Sequence, residues 1–156
     1  MVFIKKTIIG QIAIANNGDY ITHLHLPNAA EMMKADTCAM PDVVKEAFTQ
    51  LQSYLEGNLK AFDLPLQPAG TPFMQRVWAK LCQVPYGTTV SYQQIAIACG
   101  HPKAMRAVGL ANKHNPIAIF IPCHRVIGAS GKLVGFGGGL PLKQWLLEHE
   151  RRHNGI

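Results

Sequence analysis

The chain has 156 residues, 48% hydrophobic and 15% charged, with a formal net charge of +6. That length holds one ordinary domain or two small ones, and the apolar content supports a packed core and argues against disorder. No apolar stretch reaches the roughly 18 residues of a membrane helix, and four irregularly spaced cysteines (Cys38, Cys82, Cys99, Cys123) without a CxxC pair argue against a zinc ribbon or redox dithiol.

The N-terminus, Met1-Val2-Phe3-Ile4-Lys5-Lys6, places its charges after a short apolar segment and does not read as a secretory signal. Reduced thiols and the absence of a leader predict a cytoplasmic protein. The charge is uneven. Residues 1–68 carry five Lys/Arg against seven Asp/Glu, and residues 69–156 carry ten against two. No acid occurs between Asp63 and Glu148. An acid-free run of that length suggests that the second half meets a polyanion, most simply nucleic acid.

In chain order, Thr7 to Ala15 is rich in Ile and predicts a strand. Asn16-Asn17-Gly18-Asp19 supplies a turn, and Tyr20 to Leu26 a second strand, a hairpin signal. His23 and His25 alternate on that strand and read as surface residues. Val44, Phe48, Leu51 and Leu55 recur at helical spacing over residues 41–56, with Pro41 at the start and Gly57 at the stop. Leu64 to Gly70 reads as a linker.

The second part is mainly helical. Thr71 can cap a helix with Pro72 at its first position, and Phe73, Val77 and Leu81 form one face. Pro85-Tyr86-Gly87 breaks it. Ser91-Tyr92-Gln93-Gln94 is a capping box opening a helix that Gly100 stops. Pro102 is expected to start another helix through Ala111. Two short helices around a glycine turn resemble a helix-turn-helix. The second is poor in base-reading groups: apart from Lys103 and Arg106 it is small and apolar. It fits a narrow groove with Arg106 as its long side chain, or else Ala104, Ala107 and Ala111 are ordinary core contacts.

The apolar run Ile117 to Ile121 predicts a short buried strand ending at Pro122-Cys123-His124-Arg125-Val126. The thiolate is the nucleophilic form of cysteine, and an adjacent cation or base favours it. Cys123 therefore reads as an activated sulfur rather than a buried structural cysteine. Gly128 to Gly139 is glycine-rich without either phosphate-loop pattern, and is a pocket wall or a surface loop. A last helix from about Leu142 to His153 is expected to bury Trp145 and Leu146. It carries Glu148 and Glu150, which are surface acids or include the group that orients the histidine.

Val84-Pro85-Tyr86-Gly87 to Ser91-Tyr92, then Arg106-Ala107-Val108-Gly109, Asn115-Pro116, Ile121 to Gly128, and Lys143 to Leu147 with Glu150 together resemble the O6-alkylguanine-DNA alkyltransferases. The match runs over roughly residues 70–150 in order and spacing. It implies an α+β fold: a small N-terminal α/β domain with a ribonuclease-H-like sheet over residues 1–66, and a mainly helical C-terminal domain with a helix-turn-helix over residues 67–156.

The resemblance also implies roles. Cys123 would accept the alkyl group, His124 would take its proton through a water, and Glu150 would orient His124. Tyr92 would protonate the departing guanine, and Asn115 would tie the helix-turn-helix to the active-site segment. Arg106 would hold the gap left by the extruded nucleotide, because chemistry on O6 needs the base out of the stack. Ser91, Lys103, Ala104, Ala107, Gly109 and Arg125 would complete the DNA contact in the minor groove. Pro122, Val126, Phe136 and Gly137 would line the substrate pocket, the carbonyls of Cys123 and Val126 reading the flipped base. S-alkylation is effectively irreversible because a thioether is a poor leaving group, so the protein would act once.

The resemblance implies no cofactor and no metal. The partner would be double-stranded DNA containing O6-alkylguanine, met by a monomer, with cooperative binding along DNA left open. The short length and the lack of an appended domain suggest a bacterial or archaeal source.

The chain departs from the family pattern in places. Phe136-Gly137 stands where many members have Tyr-Ser, which loses a hydroxyl near the lesion oxygen. Ala129 stands where some carry Ser, and Phe73-Met74-Gln75 where Phe-Gln is usual. The zinc ligands of some relatives have no convincing counterparts.

Three rivals are weaker. A non-catalytic lesion sensor of this fold would lack the acceptor cysteine. A cysteine hydrolase seldom has adjacent nucleophile and base. A transcription factor would need more base-reading side chains on its recognition helix.

Overall fold

The structure, a computed structural model, describes residues 1–154. Two compact units divide the chain: Met1–Pro68 with Pro116–Ala118, and Ala69–Asn115 with Ile119–Ile156.

The first unit is built on a three-stranded antiparallel sheet in the order β1 (Val2–Thr7), β2 (Gly10–Asn16), β3 (Ile21–His25). The expected hairpin between β2 and β3 forms, with a bulge at Ala15/Asn16. The strand expected from Thr7 begins instead at Gly10. Thr7 to Gly10 is the turn of an additional hairpin, because the N-terminal segment supplies β1, paired from Val2↔Ala15 to Thr7↔Gly10. The Thr7 hydroxyl donates to the Gly10 carbonyl at 2.8 Å, and Ile8 projects into solvent.

Central β2 is buried from Ile12 to Asn16, with α1 (Pro27–Ala30) and α2 (Asp42–Leu55) packed against it. Val44, Ala47, Phe48, Leu51, Tyr54 and Leu55 form the buried stripe of α2. The expected linker is partly strapped to the sheet. Ile21 donates to the Pro65 carbonyl and accepts from Gln67, both at 2.8 Å, which covers the β3 edge.

In the second unit α3 (Pro72–Leu81), α4 (Tyr92–Ala98) and α5 (Met105–Lys113) pack on one another. Thr71 caps α3 by accepting from Met74 N at 3.2 Å. Trp78 fills the space between α3 and α5 and donates its indole N–H to the Ala111 carbonyl at 2.9 Å. The capping box of α4 forms in full: Ser91 Oγ accepts from Gln94 N, and Gln94 Oε1 accepts from Ser91 N. Gly100, at φ 81°, turns the chain after α4. Helix α5 begins at Met105 rather than Pro102, since Pro102 and Lys103 form a turn and Ala104 is the capping position.

The predicted strand over Ile117–Ile121 does not form. Ile117 makes one isolated bridge to Leu24, and the chain then reverses through Ile119 at φ 72°. Left-handed backbone is a genuine outlier for a β-branched residue. Ile119 is held there while fully buried. A single 3-10 turn, Cys123–Arg125, leads into β5 (Val126–Ile127), which pairs in parallel with β4 (Val90–Ser91). Helix α6 (Leu140–His153) closes the unit. Leu146 is buried as expected, but Trp145 is only half-buried, stacked on His149 at 4.8 Å. No helix among the described residues is long and apolar enough to cross a membrane.

Candidate active site

Ser91 does two local jobs. It caps α4, and as part of β4 it pairs with Ile127 just beyond the cysteine turn. That pairing sets Tyr92, the first residue of α4, beside the Cys123 segment. The thiol of Cys123 is buried in the 3-10 turn that starts after buried Pro122. Asn115 donates to the Ile121 carbonyl at 2.9 Å, and its side chain hydrogen-bonds the thiol. Asn112 donates to the Cys123 carbonyl at 3.3 Å. The two asparagines lie at the end of α5, so the helix-turn-helix and the Cys123 segment are tied directly.

His124 and Glu150 are fully buried, with Nε2 and Oε2 2.6 Å apart. Arg125 grips the same carboxylate with both prongs, Nε to Oε1 at 2.8 Å and Nη2 to Oε2 at 3.0 Å. Gly87 N donates to Oε1 at 3.2 Å. Burial alone would push the Glu150 carboxyl up, but the hydrogen bonds from His124 and Arg125 outweigh it and hold the group well below the usual carboxylate range. Glu150 is therefore ionised and accepts only. His124 must carry its proton on Nε2, which leaves Nδ1 as the basic nitrogen. That Nδ1 is buried and makes no hydrogen bond within the protein.

Burial lowers the His124 pKa despite Glu150, so the imidazole is neutral at pH 7. Burial pushes the Cys123 thiol up, while Asn115 and the Lys143 ammonium pull it down without winning. Tyr92 is likewise raised by burial, then by Cys123. The resting site is thus a thiol, a neutral imidazole and a neutral phenol. A sulfur nucleophile here arises by proton transfer and not from a standing thiolate.

Arg125 was expected at the DNA. Its guanidinium instead points inward, 6% exposed, held by Glu150 and by the Val84 carbonyl at 2.8 Å. Glu150 is the one buried carboxylate among the described residues, and it draws the nearest guanidinium to itself. Arg106 and Ala107 on α5 and Lys103 before it are exposed, while Ala104 and Gly109 are half-buried. A groove of about 340 Å³ runs between α4 and α5, lined by Ser91, Tyr92, Gln93, Met105, Arg106, Gly109 and Ala129. Val126 is buried beside the cysteine turn. Phe136, half-buried, and Gly137, exposed, stand on the Gly128–Gly139 loop outside that lining.

Lys143 is a buried charge to which sequence reasoning assigned no role. It is fully buried, and its ammonium donates to the carbonyls of Val126 at 2.6 Å and Val134 at 2.9 Å. It therefore ties the glycine-rich loop to the cysteine turn and sets a positive charge near the thiol. The signal was present: Lys143, Leu146, Leu147 and Glu150 lie at i, i+3, i+4 and i+7, one buried stripe of α6. Among the described residues no group of three or more His, Cys, Asp or Glu could hold a metal ion.

Two family models match. Residues 72–152 match the DNA-binding domain of 6-O-methylguanine DNA methyltransferase, and residues 4–68 its ribonuclease-like domain. The chain is 46% identical over 152 residues to a methylated-DNA–protein-cysteine methyltransferase of Methanosarcina barkeri, covering 96% of each. It is 49% identical over 144 residues to the Mycobacterium tuberculosis protein of that name, covering 92% of this chain and 87% of the other. A crystal structure of Mycobacterium tuberculosis OGT in complex with DNA superposes with a TM-score of 0.84 at 47% identity, covering 96% of this chain and 92% of that one.

The fold, with both domain matches, is that of a DNA methyltransferase. The chain belongs to the 6-O-methylguanine DNA methyltransferase family, the methylated-DNA–protein-cysteine methyltransferases.

Proposed function

We propose that this chain repairs DNA by moving the alkyl group of O6-alkylguanine, and less readily of O4-alkylthymine, irreversibly onto Cys123. The damaged nucleotide is first turned out of the duplex from the minor-groove side, with Arg106 filling its place. The protein binds double-stranded DNA as a monomer and each molecule acts once.

The chemistry follows from the protonation states. The Cys123 proton passes through a water to His124 Nδ1, and the His124 imidazolium is stabilised by ionised Glu150. The sulfur attacks the alkyl carbon, and the carbon–O6 bond breaks with its electron pair going to guanine. Guanine takes the Tyr92 proton and leaves neutral, and His124 returns its proton to Tyr92. The proton lost by the thiol thus ends on guanine.

Val126 and Cys123 present the carbonyls that read the base. Each already accepts one bond, from Lys143 and Asn112 respectively, and a carbonyl has a second lone pair to offer.

The observation that carries this proposal is the sealed Cys123 thiol with the basic nitrogen of an adjacent Glu150-bound histidine, in a chain of this family. Intact-protein mass spectrometry after incubation with a duplex holding one O6-methylguanine tests it. A stoichiometric gain of one methyl, mapped to the Cys123 peptide, is expected. No gain with tight lesion binding retained overturns it in favour of a sensor.

A further inference from the structure

The groove beside Tyr92 contains one large apolar side chain that the proposed chemistry leaves unused. Met105 is the first residue of α5 and is 45% exposed. It lies one residue before Arg106 and four before Gly109, so it shares a helix face with Gly109. A Cβ at Gly109 would stand 3.9 Å from Tyr92 Cε1. The missing side chain leaves the Tyr92 ring and the Gly109 backbone as a floor, with Met105 as a wall. On either side of the Met105-Arg106 pair stand Ala104 and Ala107, which are too short to reach far. The first turn of α5 therefore projects two adjacent long side chains at the groove, one apolar and one cationic.

The two suit different parts of an opened duplex. A guanidinium in the vacated place can stack on part of a base face and reach polar base edges and phosphates, and the rest of the newly bared face is apolar and aromatic. A thioether is unbranched and polarisable, and adapts to aromatic faces. Proteins that open DNA from the minor groove insert apolar side chains, methionine among them, between base steps.

We propose that Met105 is a second wedge beside Arg106: its thioether lies against the face of the base next to the vacated position and keeps the stack from closing while the nucleotide occupies the Tyr92 groove. This rests on the extrusion of the lesion set out above. It makes Met105 a determinant of reaction with duplex DNA rather than of sulfur reactivity.

The test compares single-turnover methylation by a duplex holding one O6-methylguanine with benzylation by free O6-benzylguanine, for wild type, Met105→Ala and Met105→Leu. Alanine at an exposed first helical position is a good helix former, so the variant keeps its fold. Met105→Ala is expected to slow the duplex reaction about tenfold more than the free-base reaction, the order of part of one base-stacking contact. Met105→Leu, which keeps an apolar wedge, recovers most of the loss.

Equal slowing of both reactions, or an unchanged duplex rate in Met105→Ala with wild type reacting normally, overturns the wedge alone. A wild type that reacts with neither substrate overturns the alkyl-transfer proposal and the wedge with it.

Discussion

The two units are stabilised in different ways. In the first, Asn16 is the one buried polar residue among those described, and the interior is otherwise Ile, Leu, Val, Ala, Phe and Tyr. In the second, Asn112, His124, Arg125, Lys143, His149 and Glu150 are all buried. Apolar burial is non-directional and tolerates small changes of shape. Buried ions cost several kcal/mol each unless every donor and acceptor is met. In the second unit the charged groups are paired: Glu150 accepts from His124, Arg125 and Gly87, and the Lys143 ammonium is seated on two carbonyls, while His124 Nδ1 and Asn112 Oδ1 make no hydrogen bond within the protein. One unit is stabilised mainly by apolar area, and the other adds to its apolar core a buried charged network next to Cys123.

Five changes break or sharpen that contrast. The largest effect belongs to Cys123→Ala, which abolishes methyl gain in the mass spectrum yet leaves duplex binding in a mobility-shift assay. Continued methyl gain would place the acceptor elsewhere.

Next, Glu150→Gln removes the anion between two cationic or proton-donating partners and is expected to cost about 3–5 kcal/mol in urea unfolding. Ile14→Val in the first unit is expected to cost about 0.5–1.5 kcal/mol. Equal costs would erase the distinction between the units.

Third, Arg106→Ala is expected to slow reaction with duplex DNA about ten- to a hundredfold, because unstacking a base costs a few kcal/mol. Its reaction with free O6-benzylguanine falls less. Parallel losses in both assays count against the finger role.

The fourth is an acid effect. The folded His124 pKa lies below its ordinary 6.5, so the unfolded chain binds more protons and stability falls as pH drops below about 6.5. The depressed Glu150 carboxyl contributes stability above its ordinary 4.5, and that contribution is lost as pH falls further toward its folded value. Urea midpoints measured from pH 8 to pH 4 should fall in that order, and a flat profile removes the buried-network account. The smallest change is Ser91→Ala, expected to cost about 1 kcal/mol through the lost cap. It is read in the same unfolding assay, and no loss at all would show that the capping box adds nothing.

Local chemistry made much of this legible. Thr71-Pro72 and Ser91 to Gln94 carry helix starts in a few residues, and both caps form. The Cys-His-Arg run marks the segment where the structure buries Cys123 beside the His124–Glu150 pair. Other features are set by distant partners and have no local signature. β1 has lysines at its end and exists because Ala15 to Gly10 lie opposite it. Ile117–Ile121 has strand composition, but one bridge to Leu24 and the left-handed Ile119 use it as a reversal. Arg125 reads as a DNA contact in the sequence because its carboxylate partner lies far along the chain, on α6. Lys143 shares the buried stripe of α6 with Leu146, Leu147 and Glu150, but the two carbonyls that receive it, those of Val126 and Val134, lie on other segments.

The isolated bridge between Leu24 and Ile117 has a consequence for synthesis. Leu24 N donates to the Pro116 carbonyl at 3.0 Å, so the outer edge of the first sheet is completed by residues made long after its own strands. A nascent chain grows at about 5–20 residues per second, and domains generally fold as units as they emerge. The first unit therefore leaves the ribosome with one edge unfinished until residue 117 emerges. A gene fragment ending at Pro68 would express a sheet lacking that last partner.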